Sequence, residues 1–232
     1  VPADRVGFMS CAAEGMNWLA RGLDWRRGDN VVTNNLEFPS VAYAWWQLEA
    51  LGVEVRMASH RDWRVHEEDL LEAVDERTRV LAVSQVSFYT GQNLDIAGLS
   101  EGLRGRWDDC LFAVDSTHAS GVVAVQAAAT DLCVSKWLLA THGTAPCYVS
   151  SRAAERVADS SFGWHNLAVW PEQGAERAPT VAVKPMPDRL EPGNPAMVVI
   201  LFLEHALQRL LSVGMESIQQ HAWELSERIE AG

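Results

Sequence analysis

Leu111-Phe-Ala-Val-Asp115 and Asp131-Leu-Cys-Val-Ser-Lys136 are two short runs of apolar and β-branched residues, and each closes on a side chain able to do chemistry. Runs that are apolar on both faces fit parallel strands covered by helices on each side. On either side of them, residues 5–9, 30–34, 53–58, 79–87 and 146–150 read as strands too. Between the strands, residues 14–24, 41–51, 67–74 and 97–104 carry helical spacing, with Ser40 as the expected N-cap of the second helix and Gly52 as its terminating glycine. Strand and helix in alternation predict a mostly parallel α/β sheet. The pattern then changes. Residues 160–195, rich in Pro, Gly and Trp, read as an extended, loop-dominated excursion, followed by two helices over 196–212 and 215–229 parted by Gly214.

Composition narrows the class. The chain has 232 residues, 48% hydrophobic and 22% charged, which describes a globular protein with a substantial core. A net charge of −12, with no basic run, argues against nucleic acid or an anionic membrane as partner. The most apolar segment, residues 198–211, is broken by Glu204, His205, Gln208 and Arg209, so no membrane span is expected. Cys11, Cys110, Cys133 and Cys147 have neither zinc nor CxxC spacing, and His60, His66, His165 and His221 form no metal set; reduced thiols in a cytoplasmic protein are the expectation. The chain opens without an initiator Met on a strand-like run, which suggests part of something longer. Of its 19 basic residues only Lys136 and Lys184 are lysines, so each lysine is worth weighing singly.

In open parallel sheets, ligands sit beyond the carboxyl ends of the strands. Lys136 is there. A lysine desolvated at a strand end is more often the neutral amine that a Schiff base needs, although a stem lying along apolar surface with its ammonium in water fits the same residues. Asp115 and His118 follow the strand before it: a carboxylate placed there could hold a pyridinium nitrogen protonated, or could simply cap a turn beside a core histidine. Ser10-Cys-Ala-Ala-Glu-Gly15 joins a strand to a helix through small residues and leaves peptide N–H groups open to an anion, with Glu14 expected to point away from it.

Order and spacing together carry more than each piece. The small-residue loop, Leu36-Glu-Phe-Pro-Ser40, Ser87-Phe-Tyr-Thr-Gly-Gln92, Asp115 with His118, and Lys136 occur in one succession. So arranged, the chain resembles the class V aminotransferase family of pyridoxal 5′-phosphate (PLP) enzymes, which takes in cysteine desulfurases, isopenicillin epimerase-like proteins and kynureninase. The resemblance is densest in residues 22–31, 77–80, 115–121 and 136–139. It implies a three-layer α/β/α large domain of the aspartate-aminotransferase-like fold over residues 1–195, incomplete at its N-terminus. Residues 196–232 would be helices leading toward a missing small C-terminal domain.

The resemblance also implies roles. Lys136 would form the Schiff base and move the proton at the substrate α-carbon, Asp115 would pair with the pyridine nitrogen, and His118 would stand near the phenolic oxygen. Phe38 would stack on the ring. Ala12 and Ala13 would offer peptide N–H groups to the phosphate, with Ser135 as a short additional donor. Trp164 and Asn194 would reach the phosphate of a neighbouring subunit, which implies a homodimer with shared sites acting on a small amino acid or amine. Phe88 and the Ala145-Pro-Cys147 segment depart from the family pattern. Transamination is the leading expectation and kynureninase-like hydrolysis, to which Tyr89-Thr-Gly-Gln92 leans, the alternative; lyase or epimerase chemistry, or a truncated relative acting as a binding or dimerisation module, stay open.

Overall fold

The computed structural model describes residues 1–169 and 181–231. Its centre is a seven-stranded sheet: β1 (Val6–Met9), β2 (Asn30–Asn34), β3 (Glu54–Ala58), β4 (Thr78–Ser84), β5 (Leu111–Asp115), β6 (Leu132–Val134) and β7 (Ala145–Val149). The strand order is β1-β7-β6-β5-β4-β2-β3. Strands β3, β2, β4, β5 and β6 run parallel, while β7 is antiparallel to both β6 and β1. This is the mostly parallel sheet the sequence predicts, and β2 and β5 are buried at every residue, as strands covered on both faces must be.

Helices α1 (Ala12–Gly22) and α2 (Pro39–Trp46) lie on one face and α3 (Glu67–Glu72) and α4 (Ile96–Leu103) on the other. Met16, Leu19, Trp45 and Val41 pack with Val31, Val80, Leu111 and Leu132 on the first face. Leu70, Leu99 and Ile96 pack with Val32, Leu81, Val83 and Phe112 on the second. Side chains alternate along a strand, so β2, β4 and β5 feed both cores, whereas β1, β6 and β7 feed the first alone. Gly52 ends the short 3-10 turn after α2 at φ +80°, its N–H donating to the Glu49 carbonyl, which is the role its position predicts.

Some expectations are corrected. Ser40 is not an N-cap: Pro39, with its fixed φ, takes the first helical position and Phe38 precedes it. Strand β4 stops at Ser84, because the chain turns where Ser87 N–H donates to the Gln92 carbonyl. Strand β6 stops at Val134, two residues before Lys136. A helix missing from the sequence reading, α5 (Ser151–Arg156), follows β7, with the Ser150 side chain capping Ala153 N–H. Residues 170–180 of the expected loop excursion lie outside the described residues.

Two longer helices close the chain, α6 (Met197–Val213) and α7 (Met215–Ala231). Leu203, Ala206 and Leu210 of α6 are buried, while Val198, Leu201, Phe202 and Leu211 are exposed. No single helix among the described residues is long and apolar enough to cross a membrane; α6 and α7 pass that test only as a pair, bent by 79°.

Candidate active site

Strand register assembles the site. Ser84, Asp115 and Val134 are paired across β4, β5 and β6, so the carboxyl ends of these three strands lie side by side. Asp115 is the last residue of β5 and is buried; Lys136 lies two residues beyond the end of β6. Asp115 Oδ1 accepts the Thr117 N–H at 2.8 Å. Burial raises the Asp115 pKa, against the hydrogen bonds of Thr117 and the nearby charges of Lys136 and His118.

Beyond Lys136 the backbone turns left-handed through Trp137, Leu138 and Leu139, at φ of 68°, 48° and 60°. Non-glycine residues adopt that region at a cost of roughly 1–2 kcal/mol each. The turn closes with Leu138 N–H on the Lys136 carbonyl and Ala140 N–H on the Trp137 carbonyl. It folds the indole over the lysine: Nζ lies 4.3 Å from the Trp137 ring centre and 5.2 Å from that of Phe38. The amine is thus flanked by two aromatic faces. Trp137 Nε1 bonds His142 Nδ1 at 2.7 Å, and its ring meets His118 edge to face at 5.8 Å. Phe38, entering α2, packs edge-on against Phe88 at 5.1 Å.

The helix α1 brings the other end of the site. A Cβ added to Gly15 would touch the Val134 side chain at 3.4 Å, which seats the first turn of α1 on the end of β6. Cys11 makes no side-chain cap there, leaving the first-turn N–H groups, those of Ala12 and Ala13 among them, as open donors. Glu14 folds back, and its Oε2 takes the Ser10 N–H and hydroxyl at 2.7 Å each.

Ser135 goes elsewhere. With Cys133 and Ser116 it lines a cavity of about 330 Å³ bounded by Leu207 and Met215, where no described residue of α1 is found. Trp164 and Asn194 are exposed; Trp164 packs on His165, and Asn194 lines a cavity with Ser10, Glu14 and Thr144. The structure therefore brings together Lys136, Asp115, His118 and Phe38, seats the first turn of α1, which carries Ala12 and Ala13, on the end of β6, and sets Ser135 apart from the α1 end.

Glu37 belongs to the site and was not singled out in sequence. Asn34 Nδ2 and Ser84 N–H donate to its Oε1 at 2.6 and 2.7 Å, and Ser84 Oγ donates to Oε2 at 2.5 Å. Burial pushes its pKa up to about 7, with the charge of Asp115 adding to the rise. The one signal available was an acidic residue wedged between Leu36 and Phe38.

The fold and the strand-end constellation define a protein built to hold a planar, anionic cofactor over a lysine. The chain belongs to the class-V aminotransferase family, whose model matches residues 1–232. It is 25% identical over 98% of its length to an uncharacterized aminotransferase of Schizosaccharomyces pombe, covering 59% of that protein. It is 26% identical over 99% of its length to a probable cysteine desulfurase of Methanothermobacter thermautotrophicus, covering 57% of it. In fold it is similar to the apo cysteine desulfurase of Thermococcus onnurineus NA1, with a TM-score of 0.86 at 19% identity, over 97% of this chain and 56% of that one. A cystine C–S lyase variant with glycine linked covalently to its PLP cofactor matches with a TM-score of 0.84 at 19% identity, over 95% of this chain and 59% of that one. The chain thus spans little more than half the length of these relatives.

Pyridoxal 5′-phosphate is the cofactor that this family calls for, and the residues present fit it. An amine, a buried carboxylate facing it and an aromatic face converge. Thr117 is buried beside Asp115, and its side chain and N–H both help to hold the carboxylate charge that a ring nitrogen would meet. The phosphate end has peptide N–H groups in place of side-chain donors at Ala12 and Ala13.

Proposed function

We propose that this chain is the cofactor-holding part of an enzyme that attacks bonds at the α-carbon of an amino acid through a Schiff base at Lys136. The supporting observation is the convergence of the Lys136 amine, the Asp115 carboxylate and the Phe38 ring at neighbouring strand ends. When bound, pyridoxal phosphate supplies an electron sink for the bond that breaks. Lys136 Nζ would hold the aldehyde end of the cofactor and would be the base that moves the proton at the substrate α-carbon. Asp115 would hold a proton on the ring nitrogen, in a buried setting where that charge pair is strong. His118 would donate to the phenolic oxygen, Phe38 and Trp137 would shield the amine, and the first turn of α1 would receive the phosphate.

Among the reaction branches, removal of sulfur from cysteine has the support of the relatives, several of which are named cysteine desulfurases. It displaces the transamination that the sequence alone favours. The buried thiols of this chain are unsuited to carry sulfur: burial pushes Cys133 up to about 11, Cys110 up to about 12, and Cys147 higher still. The sulfur acceptor in this reading is therefore Cys11, the exposed thiol, or a group outside the chain. The same reading makes the working form a cytoplasmic homodimer. Its support is the exposed Trp164 and Asn194 and four free cysteines.

The test is a visible spectrum of the protein with added pyridoxal phosphate, then borohydride reduction and peptide mapping. The expected result is a band and a label on Lys136; no band and no label would leave a binding module. Sulfide release from L-cysteine, set against amino transfer to a 2-oxo acid, separates the two branches.

A further inference from the structure

We propose that Glu37 and Asp115 form a coupled carboxylate pair across the ends of β4 and β5, in which Glu37 carries the proton and Asp115 the charge that faces the lysine. This deepens the Schiff-base reading and rests on it for its catalytic meaning.

The placement comes from the sheet. Strand β2 pairs with β4 only as far as Val32 and Leu81. Beyond that point the Ser84 N–H meets the Glu37 carboxylate, which follows the end of β2 and precedes α2. Ser84 is also the register partner of Asp115, so one residue of β4 links the two carboxylates. Their surroundings differ in charge. The hydrogen-bond partners of Glu37, Asn34 and Ser84, are neutral. Asp115 feels the charges of Lys136 and His118, both of which favour its ionised form.

Two carboxylates near each other in a desolvated setting retain a proton between them, and nearby cations decide which of the two stays ionised. Those cations are beside Asp115. The contact to Ser84 Oγ, 2.5 Å long, accommodates Glu37 in either protonation state. When Glu37 is ionised, Ser84 Oγ donates to it; when Glu37 is protonated, Oε2 donates to Ser84 Oγ. The burial-driven rise in the Glu37 pKa to about 7 agrees with this assignment. Glu37 is thus a positioning residue that acts through Asp115. Below neutrality it leaves Asp115 as the single counter-charge to a protonated ring nitrogen; above neutrality a second negative charge tightens the hold on that proton.

The experiment is an infrared pH titration of the purified chain without cofactor, following the protonated-carboxyl stretch. Wild type should lose a buried carboxyl band with a midpoint near 7, and Glu37→Gln should lack that band. In Asp115→Asn the midpoint should fall by about one pH unit, because the repelling charge is gone. Both variants are isosteric, and the wild-type midpoint alone still decides if one fails to fold. A band absent at pH 6, or a midpoint unmoved by Asp115→Asn, would overturn the pair. With pyridoxal phosphate added, Glu37→Gln should flatten the pH dependence of the visible band near neutrality. A chain that takes no cofactor yet shows the coupled midpoints would sink the Schiff-base reading and leave the pair standing.

Discussion

Lys136 and Trp137 are chain neighbours whose side chains close on each other, with Nζ 4.3 Å from the indole ring centre. Successive side chains in an extended strand point to opposite faces, so this contact exists because the backbone turns left-handed immediately after the lysine. The lysine is half-buried at the mouth of the site and lies outside both hydrophobic cores. Lys136→Ala should therefore leave stability within about 1 kcal/mol of wild type, as is usual for changes outside the core, while abolishing the borohydride-fixed label. Denaturant unfolding and peptide mapping on the same preparation check both halves, and a label surviving the substitution would remove Lys136 from the mechanism.

Asp115 is the buried carboxylate that the amine faces. Replacing it with Asn keeps the shape and the Thr117 N–H contact but removes the charge that holds the ring nitrogen protonated. The visible band should persist in Asp115→Asn, while exchange of the substrate α-proton slows by about two orders of magnitude or more. Deuterium exchange followed by NMR measures it; exchange at the wild-type rate would mean that the carboxylate is misassigned.

Asp115 and Lys136 were legible in sequence because each ends an apolar run, and parallel strands deliver their carboxyl ends to the ligand. Strand β5 was read to the residue for a related reason: both of its faces are buried, so the apolar run and the strand coincide. Glu37 was not legible as a site residue. Its importance lies in a contact with Ser84, 47 residues away, which no local pattern encodes. The turn after Lys136 was hidden too, since left-handed backbone is ordinarily announced by Gly or Asn and here is carried by Trp137, Leu138 and Leu139. The six-residue α5 was masked by β-prone neighbours, with only Ser150 as a cap signal.

Glu37 should also be visible in the pH dependence of stability. Its pKa is raised from 4.5 to about 7 in the folded chain, so the folded state binds more protons than the unfolded one between those values. That contribution is fully present below about pH 4.5 and is lost as pH rises through 7; its ceiling is about 3 kcal/mol. Glu37→Gln cannot ionise and should gain stability relative to wild type as pH is raised from 5 to 8. Urea midpoints across that range test it, and parallel curves for the two proteins would refute the assignment.

Asp131 behaves in the opposite sense. It is buried and accepts hydrogen bonds from Arg152, from Phe112 N–H at 2.9 Å and from Ser150 Oγ at 2.8 Å, which together hold its pKa below the usual carboxylate value. This stabilisation is present at neutral pH and is lost as pH falls through the folded pKa. Arg152 also bonds the Asp108 and Cys110 carbonyls, tying α5 to the start of β5. Arg152→Met should cost about 2–3 kcal/mol, discounted from the value for a fully buried pair because the arginine is partly exposed. Thermal unfolding at pH 7 reads the loss, and a change under 0.5 kcal/mol, the size usual for a surface site, would show that the pair is dispensable.

Leu139 offers the cleanest test of the turn that presents the lysine. Its side chain is 79% exposed, so little packing is lost on its removal, and its φ of 60° lies where glycine is at ease. Leu139→Gly should relieve about 1 kcal/mol of left-handed strain, partly offset by about 0.5 kcal/mol of added freedom in the unfolded chain. The expected net is a small rise in Tm with the Lys136 label unchanged, whereas Leu139→Val, β-branched and ill suited to positive φ, should lower Tm. A fall in Tm for the glycine variant would mean that the segment does not hold a left-handed turn. The contact between the Lys136 amine and the Trp137 ring would then need another origin.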